Sequence, residues 1–314
     1  MSDPAPLVSV VMPVLDSARY LPEALDSILA QTCRDIELIV IDDGSSDGSQ
    51  AIIAAYATRM PMMRALYLPR DPSLCSGARA RNAAIAVARG TYIAAMDSDD
   101  IALPDRIALQ VDYLRQHGLD ACGGQAEAFG AVAHPMWFPV GEVALRHELI
   151  FRVGMLHPTV LARADFMRAH PYDPATAHDD YEWQTRVAFQ GRLGNSPATV
   201  LRHRVHPDQS NYRFRADFDL DLRRGRFPHV YRLFPDTPPR AYHALSLIAE
   251  HSALQGDAEL ALAAEWLCRL AEPDDPALKA RMARRWDEIC RFADPAPDEA
   301  LRARVAAAID PGCG

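Results

Sequence analysis

Four short apolar segments, each followed by a stretch of helical periodicity, constrain the fold of this chain more than any other feature. The first two are Leu7–Val14 (LVSVVMPV) and Ile36–Ile41 (IELIVI), and both are rich in β-branched residues. Met63–Leu68 and Tyr92–Met96 have the same apolar character. Runs of this kind are typical of strands buried on both faces. The alternation predicts an α/β fold, with a mostly parallel sheet that helices cover on both sides.

Helical segments separate these strands. Apolar residues recur at helical spacing from Leu21 to Leu29, and further helices are predicted over Gln50–Thr58 and Ala78–Ala88. In such sheets, ligands bind beyond the carboxyl ends of the strands. Three polar segments are predicted at that edge, namely Pro13–Asp16, Asp42–Asp47 and Asp97–Asp100.

Three aspartates, Asp97, Asp99 and Asp100, follow the fourth strand in the segment GTYIAAMDSDDIALPD. Carboxylates crowded at the end of a buried strand repel one another and are costly to desolvate. A divalent cation removes that cost, and oxygen ligands of this kind suit Mg2+ or Mn2+. The alternative is that one aspartate caps the helix that begins near Pro104, which accounts for one carboxylate but not for three.

A second acidic loop, DDGSSDG, follows the second strand. Asp43 is a candidate acceptor for a nucleotide base N–H, and Gly44 allows a tight turn. The alternative is that this loop makes only turn and capping hydrogen bonds, an explanation that fits Asp47 best. The chain has no GxGxxG after the first strand and no GxxxxGK[ST], which argues against dinucleotide-binding and P-loop proteins.

The composition is that of a globular protein, with 49% hydrophobic and 24% charged residues. A net charge of −9 argues against nucleic acid as the main partner. Six scattered cysteines predict reduced thiols in a cytoplasmic protein. No signal peptide and no transmembrane segment is predicted, because no run reaches the roughly 18–20 apolar residues of a membrane span. Any membrane contact is expected to be peripheral, at the inner face.

The character of the chain changes beyond Tyr212, and the prolines of Pro235–Pro239 mark a boundary. The remainder is rich in alanine, leucine and arginine at helical spacing. The sequence therefore predicts a catalytic domain over residues 1–212 and a helical region over residues 213–314. The helices predicted there are Arg240–Leu254, Glu259–Leu270, Pro276–Phe292 and Asp298–Ile309.

These motifs together resemble family 2 glycosyltransferases of GT-A fold, over about residues 7–211. The resemblance lies in VSVVMPVLDSARYLPEALDSILAQTCRDIELIVIDDGSSDGS and GARARNAAIAVARGTYIAAMDSDDIALPDR, and continues through HPTVLARADF, HDDYEWQTRVAFQGRLGN and LRHRVHPDQS. It implies inverting transfer from a nucleotide-diphosphate sugar, a UDP-sugar being favoured, with a divalent cation bridging the diphosphate.

For the donor, the resemblance implies that Pro13 and Leu15 line the nucleoside pocket and that Asp43 binds the base. Leu15 and Asp16 stand where the family often has a Tyr-Asn pair. The ARN element of the family corresponds to Arg79, Arg81 and Asn82, which are expected to reach the base or the diphosphate. The alternative for the two arginines is an exposed position on a helix surface.

For the metal, the resemblance implies that Asp99 is the direct ligand and that Asp97 contacts the ribose or supports the metal site. Ser98 lies between them and belongs to the expected donor site. His206, in RVHPDQS, matches a family histidine that helps to hold the metal or the diphosphate. His203 replaces the tyrosine more usual there. The alternative for His206 is a structural role.

On the acceptor side, inversion by single displacement needs a carboxylate that takes the hydroxyl proton, and Asp180 is the predicted base. Asp179 is expected either beside the acceptor or as a cap of the following helix. His157 is predicted either to line the acceptor pocket or to be structural. Trp137 can stack on a sugar ring, although a buried aromatic is the favoured interpretation.

The leading hypothesis is a metal-dependent inverting glycosyltransferase of the hexosyltransferase type, active in bacterial surface-polysaccharide synthesis. Its acceptor is expected to be a saccharide, a lipid-linked glycan or a protein. One alternative is a sugar nucleotidyltransferase, which needs a glycine- and basic-rich loop that PVLDSARYL lacks. The other is a degenerate domain that only binds sugars or nucleotides, and Asp43, Asp99 and Asp180 argue against it.

Overall fold

The structure is a computed structural model. It describes residues 6–71, 73, 77–209, 215–236, 257–271, 276–292 and 296–309. By internal packing the chain forms two units, the first of Met1–Val140 with Met155–Leu222 and the second of Gly141–Gly154 with Arg223–Gly314. The division of function at residue 212 stays a prediction. The packed units differ from it, because the first extends to Leu222 and the second includes residues 141–154.

A nine-stranded mixed sheet forms the centre of the first unit. Its strands are β1 (Val8–Val14), β2 (Ile36–Asp42), β3 (Met63–Tyr67), β4 (Tyr92–Ala95), β5 (Ile101–Ala102), β6 (Ala121–Gly130), β7 (His134–Met136), β8 (Leu161–Arg163) and β9 (Leu193–Val205). The order is β3-β2-β1-β4-β8-β6-β9-β5, with β7 paired to β6. Neighbours among β1 to β4 are parallel, as are β6 and β9, whereas β8 is antiparallel to β4 and β6. The predicted α/β class is confirmed.

Helices of the first unit connect these strands. They are α1 (Leu21–Leu29), α2 (Ser49–Arg59), α3 (Ala78–Val87), α4 (Arg106–His117), α6 (Ala164–Ala169) and α7 (Asp179–Val187), and a 3₁₀ turn spans His157–Thr159. Every residue of β2 is buried, and β1 is buried apart from Pro13. This burial on both faces is what a continuous apolar strand requires. Leu25 and Ile28 of α1 pack in the same core.

A buried carboxylate joins three strands at the amino end of the sheet. Glu37 accepts hydrogen bonds from the Ser9 hydroxyl at 2.6 Å, the Arg89 amide at 2.7 Å and the Arg89 Nε at 3.1 Å. The Gly90 amide in turn donates to the Ser9 hydroxyl at 2.8 Å. Burial favours the neutral acid, but these hydrogen bonds outweigh it and lower the pKa of Glu37.

The second unit is helical in its described residues. Its chain includes α5 (Glu142–Glu148), the part of α8 (Arg215–Leu233) that begins at Arg223, and the helices α9 (Asp257–Leu270), α10 (Pro276–Phe292) and α11 (Glu299–Ile309). Trp266, Leu267 and Met282 form its core with Ile150 and Phe151. The predicted helix Arg240–Leu254 lies outside the described residues, and α8 was not predicted as a helix.

Three further expectations can be compared with the structure. No helix among the described residues is long and apolar enough to cross a membrane. Trp137 is 62% exposed, so the interpretation as a buried aromatic is wrong. Trp137 comes directly after the short strand β7, where a large apolar residue does not reach the core.

Four of the six cysteines lie within the described residues and are free thiols, namely Cys33, Cys122, Cys268 and Cys290. Cys75 and Cys313 lie outside the described residues.

Candidate active site

The loops that follow β1, β2 and β4 are tied together by short hydrogen bonds. The Ser17 hydroxyl lies 2.7 Å from that of Ser98, and the Ser17 amide donates to the Ser49 hydroxyl at 3.0 Å. The Asp16 amide donates to the Ser45 hydroxyl at 3.0 Å. The convergence of three polar segments at one edge of the sheet, expected from the sequence, is therefore present.

Asp97, Asp99 and Asp100 form a carboxylate triad at the end of β4, with one oxygen from each lying within 4.8 Å of the others. Asp100 is fully buried, whereas the side chain of Asp97 is 28% exposed. Burial is the main cause that raises the pKa of Asp97 to about 7, with the charges of Asp100 and Asp99 adding to it. Burial likewise raises the pKa of Asp100.

Residues at the end of β9 surround two members of the triad. His203 Nδ1 lies 3.1 Å from Asp100, and His206 Nε2 lies 2.9 Å from Asp99. The Arg204 amide donates to Asp100 at 2.8 Å, and its Nε donates to the Asp99 carbonyl at 2.7 Å. Burial works against a charge on His203, but Asp100 outweighs it and raises the histidine pKa to about 9.

The triad fits a divalent cation. Three carboxylates supply hard oxygen donors close together. Burial, with the charges of Asp100 and Asp99 added to it, raises the pKa of Asp97, and a bound cation would offset both effects. His206 adds an imidazole nitrogen next to Asp99, and its other nitrogen, Nδ1, is buried without a hydrogen-bond partner among the described residues. Asp99 and His206 are thus in contact with each other, and their role as metal ligands stays a prediction.

The residues expected to bind the nucleoside lie along β1 and β2. Asp43 is paired with Arg79, which also donates to the Pro69 carbonyl at 2.8 Å. Pro13 is part of β1, and Leu15, just after this strand, is 41% exposed. An ion pair to Asp43 means that Arg79 is not a simple helix-surface arginine.

Two residues in the loops that follow β1 and β2 have positive φ angles. Asp16 has a positive φ of 49°, and its carboxylate accepts from the Ser46 amide at 2.8 Å and from Arg70 at 3.1 Å. Gly44 has φ 82°, and a Cβ there would lie 2.5 Å from the backbone nitrogen of Arg70. The tight turn expected at Gly44 is therefore present.

The second arginine of the ARN element lies on the other side of the triad. Arg81 donates to Asp179 at 2.6 Å and lies 3.5 Å from Asp97. Both carboxylates raise the pKa of Arg81 above its usual value, against the effect of burial. Asp179 thus binds Arg81 in the described structure, and the N-terminal capping considered for it is not seen: no side chain caps α7.

Tyr172 connects the two other residues considered for this side of the site. The Asn82 side chain donates to the Tyr172 carbonyl at 2.8 Å and accepts from its amide at 3.0 Å. His157 Nε2 lies 2.9 Å from the Tyr172 hydroxyl, and its Nδ1 lies 4.0 Å from Asp97. Burial, reinforced by the charge of Arg81, lowers the pKa of His157 well below its usual value, so the ring is neutral.

Asp180 occupies the first turn of α7 next to Asp179. Its side chain is 19% exposed, and its Oδ1 lies 3.3 Å from His178 Nε2 and accepts from the Tyr181 amide at 2.8 Å. The charge of Asp180 contributes to the raised pKa of Arg81, so the two groups are electrostatically close. Asp180 therefore retains a partly accessible carboxylate beside the buried ion pair.

The structure brings most of the predicted site residues into one connected set. Arg81 links Asp97 to the start of α7, His206 contacts Asp99, and Ser98 contacts the loop after β1. Asp43 and Arg79 form a separate pair nearer β2. Sequence reasoning missed the contacts made by His203, Arg204 and Tyr172, although His203 had been noted as unusual for the family.

Comparison with known proteins agrees with this arrangement. The sequence model described as Glycosyl transferase family 2 matches residues 9–168, which is half of the chain. The chain belongs to glycosyltransferase family 2. It is 36% identical over 225 residues to an uncharacterized glycosyltransferase of Rickettsia prowazekii, and this match spans 66% of each chain. It is 36% identical over 118 residues to glycosyltransferase GlyG of Streptococcus pneumoniae, a match that spans 38% of each.

Solved structures of glycosyltransferases share the fold. Staphylococcus aureus TarS 1–349 in complex with UDP-GlcNAc superposes with a TM-score of 0.62 at 15% identity, covering 97% of this chain and 89% of that one. The mannosyltransferase PcManGT of Pyrobaculum calidifontis, in complex with GDP-Man and Mn2+, gives a TM-score of 0.57 at 19% identity, covering 98% and 86%. This glycosyltransferase therefore has the GT-A fold that the sequence predicted.

Proposed function

We propose that this family 2 glycosyltransferase is a metal-dependent, inverting hexosyltransferase that uses a nucleotide-diphosphate sugar. The observation that carries the proposal is the single connected set formed by the carboxylate triad, Arg81 and the start of α7. In it, the three carboxylates of the triad suit a cation, and Arg81 joins them to the start of α7, where the Asp180 carboxylate suits a general base. An arrangement of this kind can bind a diphosphate and activate a hydroxyl in the same cleft.

For the donor, we propose that Pro13, Leu15 and Asp43 hold the nucleoside and that Arg79 orients Asp43. Ser98 and Asp97 would lie toward the ribose, and Asn82 would act through Tyr172. A UDP-sugar is the favoured donor. TarS structures contain UDP or UDP-GlcNAc and the PcManGT structure contains GDP-Man, which supports the class of donor for a shared fold.

For the metal, we propose Mg2+ or Mn2+ held by Asp99 and His206, with Asp97 supporting the site. When bound, the cation supplies positive charge that neutralises the departing diphosphate. The presence of Mn2+ in the PcManGT structure and the crowding of three carboxylates in this chain support the assignment.

The chain's own contribution to the reaction is general-base catalysis by Asp180. As the acceptor oxygen forms its bond to the anomeric carbon, the hydroxyl proton passes to the Asp180 carboxylate. The bond from the anomeric carbon to the phosphate oxygen breaks, and the nucleoside diphosphate leaves with the electron pair. Attack from the face opposite the leaving group inverts the anomeric configuration. Asp180 suits this role because its carboxylate is partly accessible.

The acceptor side extends the proposal. We propose a hydroxyl of a saccharide, a lipid-linked glycan or a protein, with His157 bordering the acceptor pocket as a neutral imidazole. We place the reaction in the cytoplasm, in the synthesis of a bacterial surface glycan, with peripheral contact at the inner face of the membrane. The similarity to glycosyltransferases of Rickettsia prowazekii and Streptococcus pneumoniae supports a bacterial setting for this chain.

The test combines turnover with binding on the full chain. Nucleoside diphosphate release is measured across UDP-, GDP- and dTDP-sugars, with Mn2+, with Mg2+ and with EDTA. Calorimetry then measures Mn2+-dependent affinity for the nucleoside diphosphate of the best donor. The variants are Asp99→Ala and Asp180→Asn. Asp165→Asn is the matched control, because that aspartate is 66% exposed and pairs with Arg163 rather than with a residue of the site.

The two variants should separate binding from chemistry. Asp99→Ala is expected to lose metal-dependent affinity by 100-fold or more, on the order of 3 kcal/mol. Asp180→Asn should keep that affinity within about threefold and lose transfer by roughly 10²–10⁴-fold, because it removes a general base. Normal affinity in Asp99→Ala contradicts the metal assignment, and normal transfer in Asp180→Asn contradicts the base assignment.

A further inference from the structure

Arg81 occupies a position that joins the two halves of the candidate active site. It belongs to α3, and its guanidinium reaches Asp179 of α7 through Nη1 at 2.6 Å and Asp97 through Nη2 at 3.5 Å. The side chains of Arg81 and Asp179 are only 13% and 8% exposed. The guanidinium carbon also lies 5.9 Å from the centre of the Tyr172 ring.

We propose that Arg81 is a positioning residue that fixes the base-bearing start of α7 against the carboxylate triad, and that it is not a ligand of the donor. The inference rests on the proposed function, because it assigns to Arg81 the alignment of Asp180 with the bound donor. It replaces the expectation, drawn from the sequence, that Arg81 reaches the base or the diphosphate.

The contacts of the guanidinium support this role. Its two terminal nitrogens are directed at carboxylates on different elements, and its Nε is buried without a hydrogen-bond partner among the described residues. A planar fork of donors can hold two carboxylates at a fixed separation, which the single ammonium of lysine cannot. Arg81 therefore sets the distance between Asp97 and Asp179.

The charge balance points the same way. Asp179 is a buried carboxylate, and burial raises its pKa while Arg81 opposes that shift. Without the guanidinium, Asp179 is left as a buried charge without its ion-pair partner, next to the like charge of Asp180. Removing one partner of a buried pair is strongly unfavourable for this reason. The expected relief is a displacement of the first turn of α7, which carries Asp180.

The neighbouring residue of α3 strengthens the same connection. Asn82 holds both backbone polar groups of Tyr172, and His157 contacts the hydroxyl of that tyrosine. Arg81 and Asn82 are consecutive residues of α3. The first holds Asp179, and the second holds Tyr172 in the segment that precedes α7. Because a displacement of about 1 Å can lower a rate by roughly 10²-fold, this alignment matters for catalysis.

The experiment compares Arg81→Gln, Arg81→Lys, Asp179→Asn and the double variant Arg81→Gln/Asp179→Asn. Turnover gives kcat and donor KM, and calorimetry gives affinity for the Mn2+-bound nucleoside diphosphate. Hydrogen–deuterium exchange of the metal-free protein reports the order of the first turn of α7. Arg79→Gln is the matched contrast, because Arg79 lies two residues away on the same helix and is paired with Asp43 instead.

Arg81→Gln should lower kcat by about 10–100-fold and leave donor KM and nucleotide affinity within about threefold, with faster exchange at the start of α7. Arg81→Lys should recover part of kcat, because it keeps one ion pair. The double variant should be no slower than the slower single variant, since the two residues act as one unit. Arg79→Gln should instead weaken nucleotide affinity and leave exchange in α7 unchanged.

Two results would overturn the proposal. One is a tenfold or larger loss of nucleotide affinity in Arg81→Gln with kcat preserved, which makes Arg81 a donor ligand. The other is unchanged exchange at the start of α7. If the wild-type chain turns over no sugar nucleotide, the proposed function fails, and the exchange measurement still decides whether Arg81 orders α7. If Arg81→Gln does not fold, the Arg81→Lys variant supplies the same comparison.

Discussion

Replacing Asp97 by asparagine should stabilise the metal-free protein while removing part of its active site. Asp97 lies in the carboxylate triad, where burial, followed by the charges of Asp100 and Asp99, raises its pKa to about 7. Asparagine has nearly the same shape and carries no charge. The substitution therefore removes the cost of burying a charge, together with its repulsion by Asp100 and Asp99, without opening a cavity.

The size of the effect follows from the shift in pKa. From the ordinary value of 3.8 to about 7 is a change of about three units, and each unit is about 1.4 kcal/mol. The upper limit is thus about 4 kcal/mol. The Asp97 side chain is 28% exposed, so solvent screens part of this, and the variant also loses the charge opposite Arg81 at 3.5 Å. We expect about 1–2 kcal/mol, or a rise of about 2–4 °C in the melting temperature.

The pH dependence has a definite sign. Below pH 3.8, Asp97 is protonated in both the folded and the unfolded state, and the charge makes no difference. As the pH rises toward 7, the unfolded carboxyl ionises while the folded one holds its proton, so the wild type loses stability. The advantage of Asp97→Asn should therefore grow between about pH 4 and pH 7 and stay constant above.

Thermal denaturation in EDTA at pH 5, 6, 7 and 8 measures this difference. Asp165→Asn is the exposed control and should shift the melting temperature in the opposite direction, because the hydrogen bond from Arg163 lowers the pKa of Asp165. Adding Mn2+ should narrow the gap, because a bound cation stabilises the wild type through the charge that the variant lacks. If Asp97→Asn melts below the wild type in EDTA at pH 8, the charge-repulsion argument for the triad is wrong.

Three other predictions concern the sheet and its loops. Glu37→Ala should lower the free energy of unfolding by about 3 kcal/mol in urea denaturation, because it leaves the hydrogen-bond donors of Ser9 and Arg89 without their buried acceptor. Gly44→Ala should cost more stability than Gly48→Ala: both glycines have positive φ, but an added Cβ meets the Arg70 backbone only at Gly44; equal melting temperatures would contradict the close approach. Trp137→Ser should lower the free energy of unfolding by no more than about 2 kcal/mol, since the side chain is 62% exposed and only its buried part contributes.

The central strands could be predicted because a strand that is buried on both faces is a nearly continuous run of apolar residues. Leu7–Val14 and Ile36–Ile41 are continuous apolar runs, and the strands begin and end within one residue of them. The helix over Pro276–Phe292 was predicted with its observed bounds, because its apolar spacing and its opening proline are local signals.

Features that depend on tertiary pairing were not predicted. Strand β8 is three residues long, and β9 contains polar residues throughout, so neither has the apolar pattern of a buried strand. Helix α8 was missed because arginines, aromatics and Pro228 interrupt its periodicity. A strand's partner, unlike its existence, depends on residues far along the chain.

The candidate site divides in the same way. The clustering of Asp97, Asp99 and Asp100 is a local signal, and the sequence was enough to predict a crowded acidic loop. The pairing of Arg81 with Asp179 joins residues 98 positions apart, and no spacing rule predicts it. Trp137 shows the converse, because a large apolar side chain was expected in the core and lies on the surface.

The contacts between the triad and the end of β9 also bear on how the protein matures. Asp99 and Asp100 meet His206 and His203 across 107 and 103 residues of chain. Contacts of such long range close late, because a large loop must be ordered before they form. A nascent chain that stops short of β9 carries all three acidic residues but neither His203 nor His206. We therefore expect the contacts of Asp100 with His203 and of Asp99 with His206 to form only once β9 has paired with the rest of the sheet.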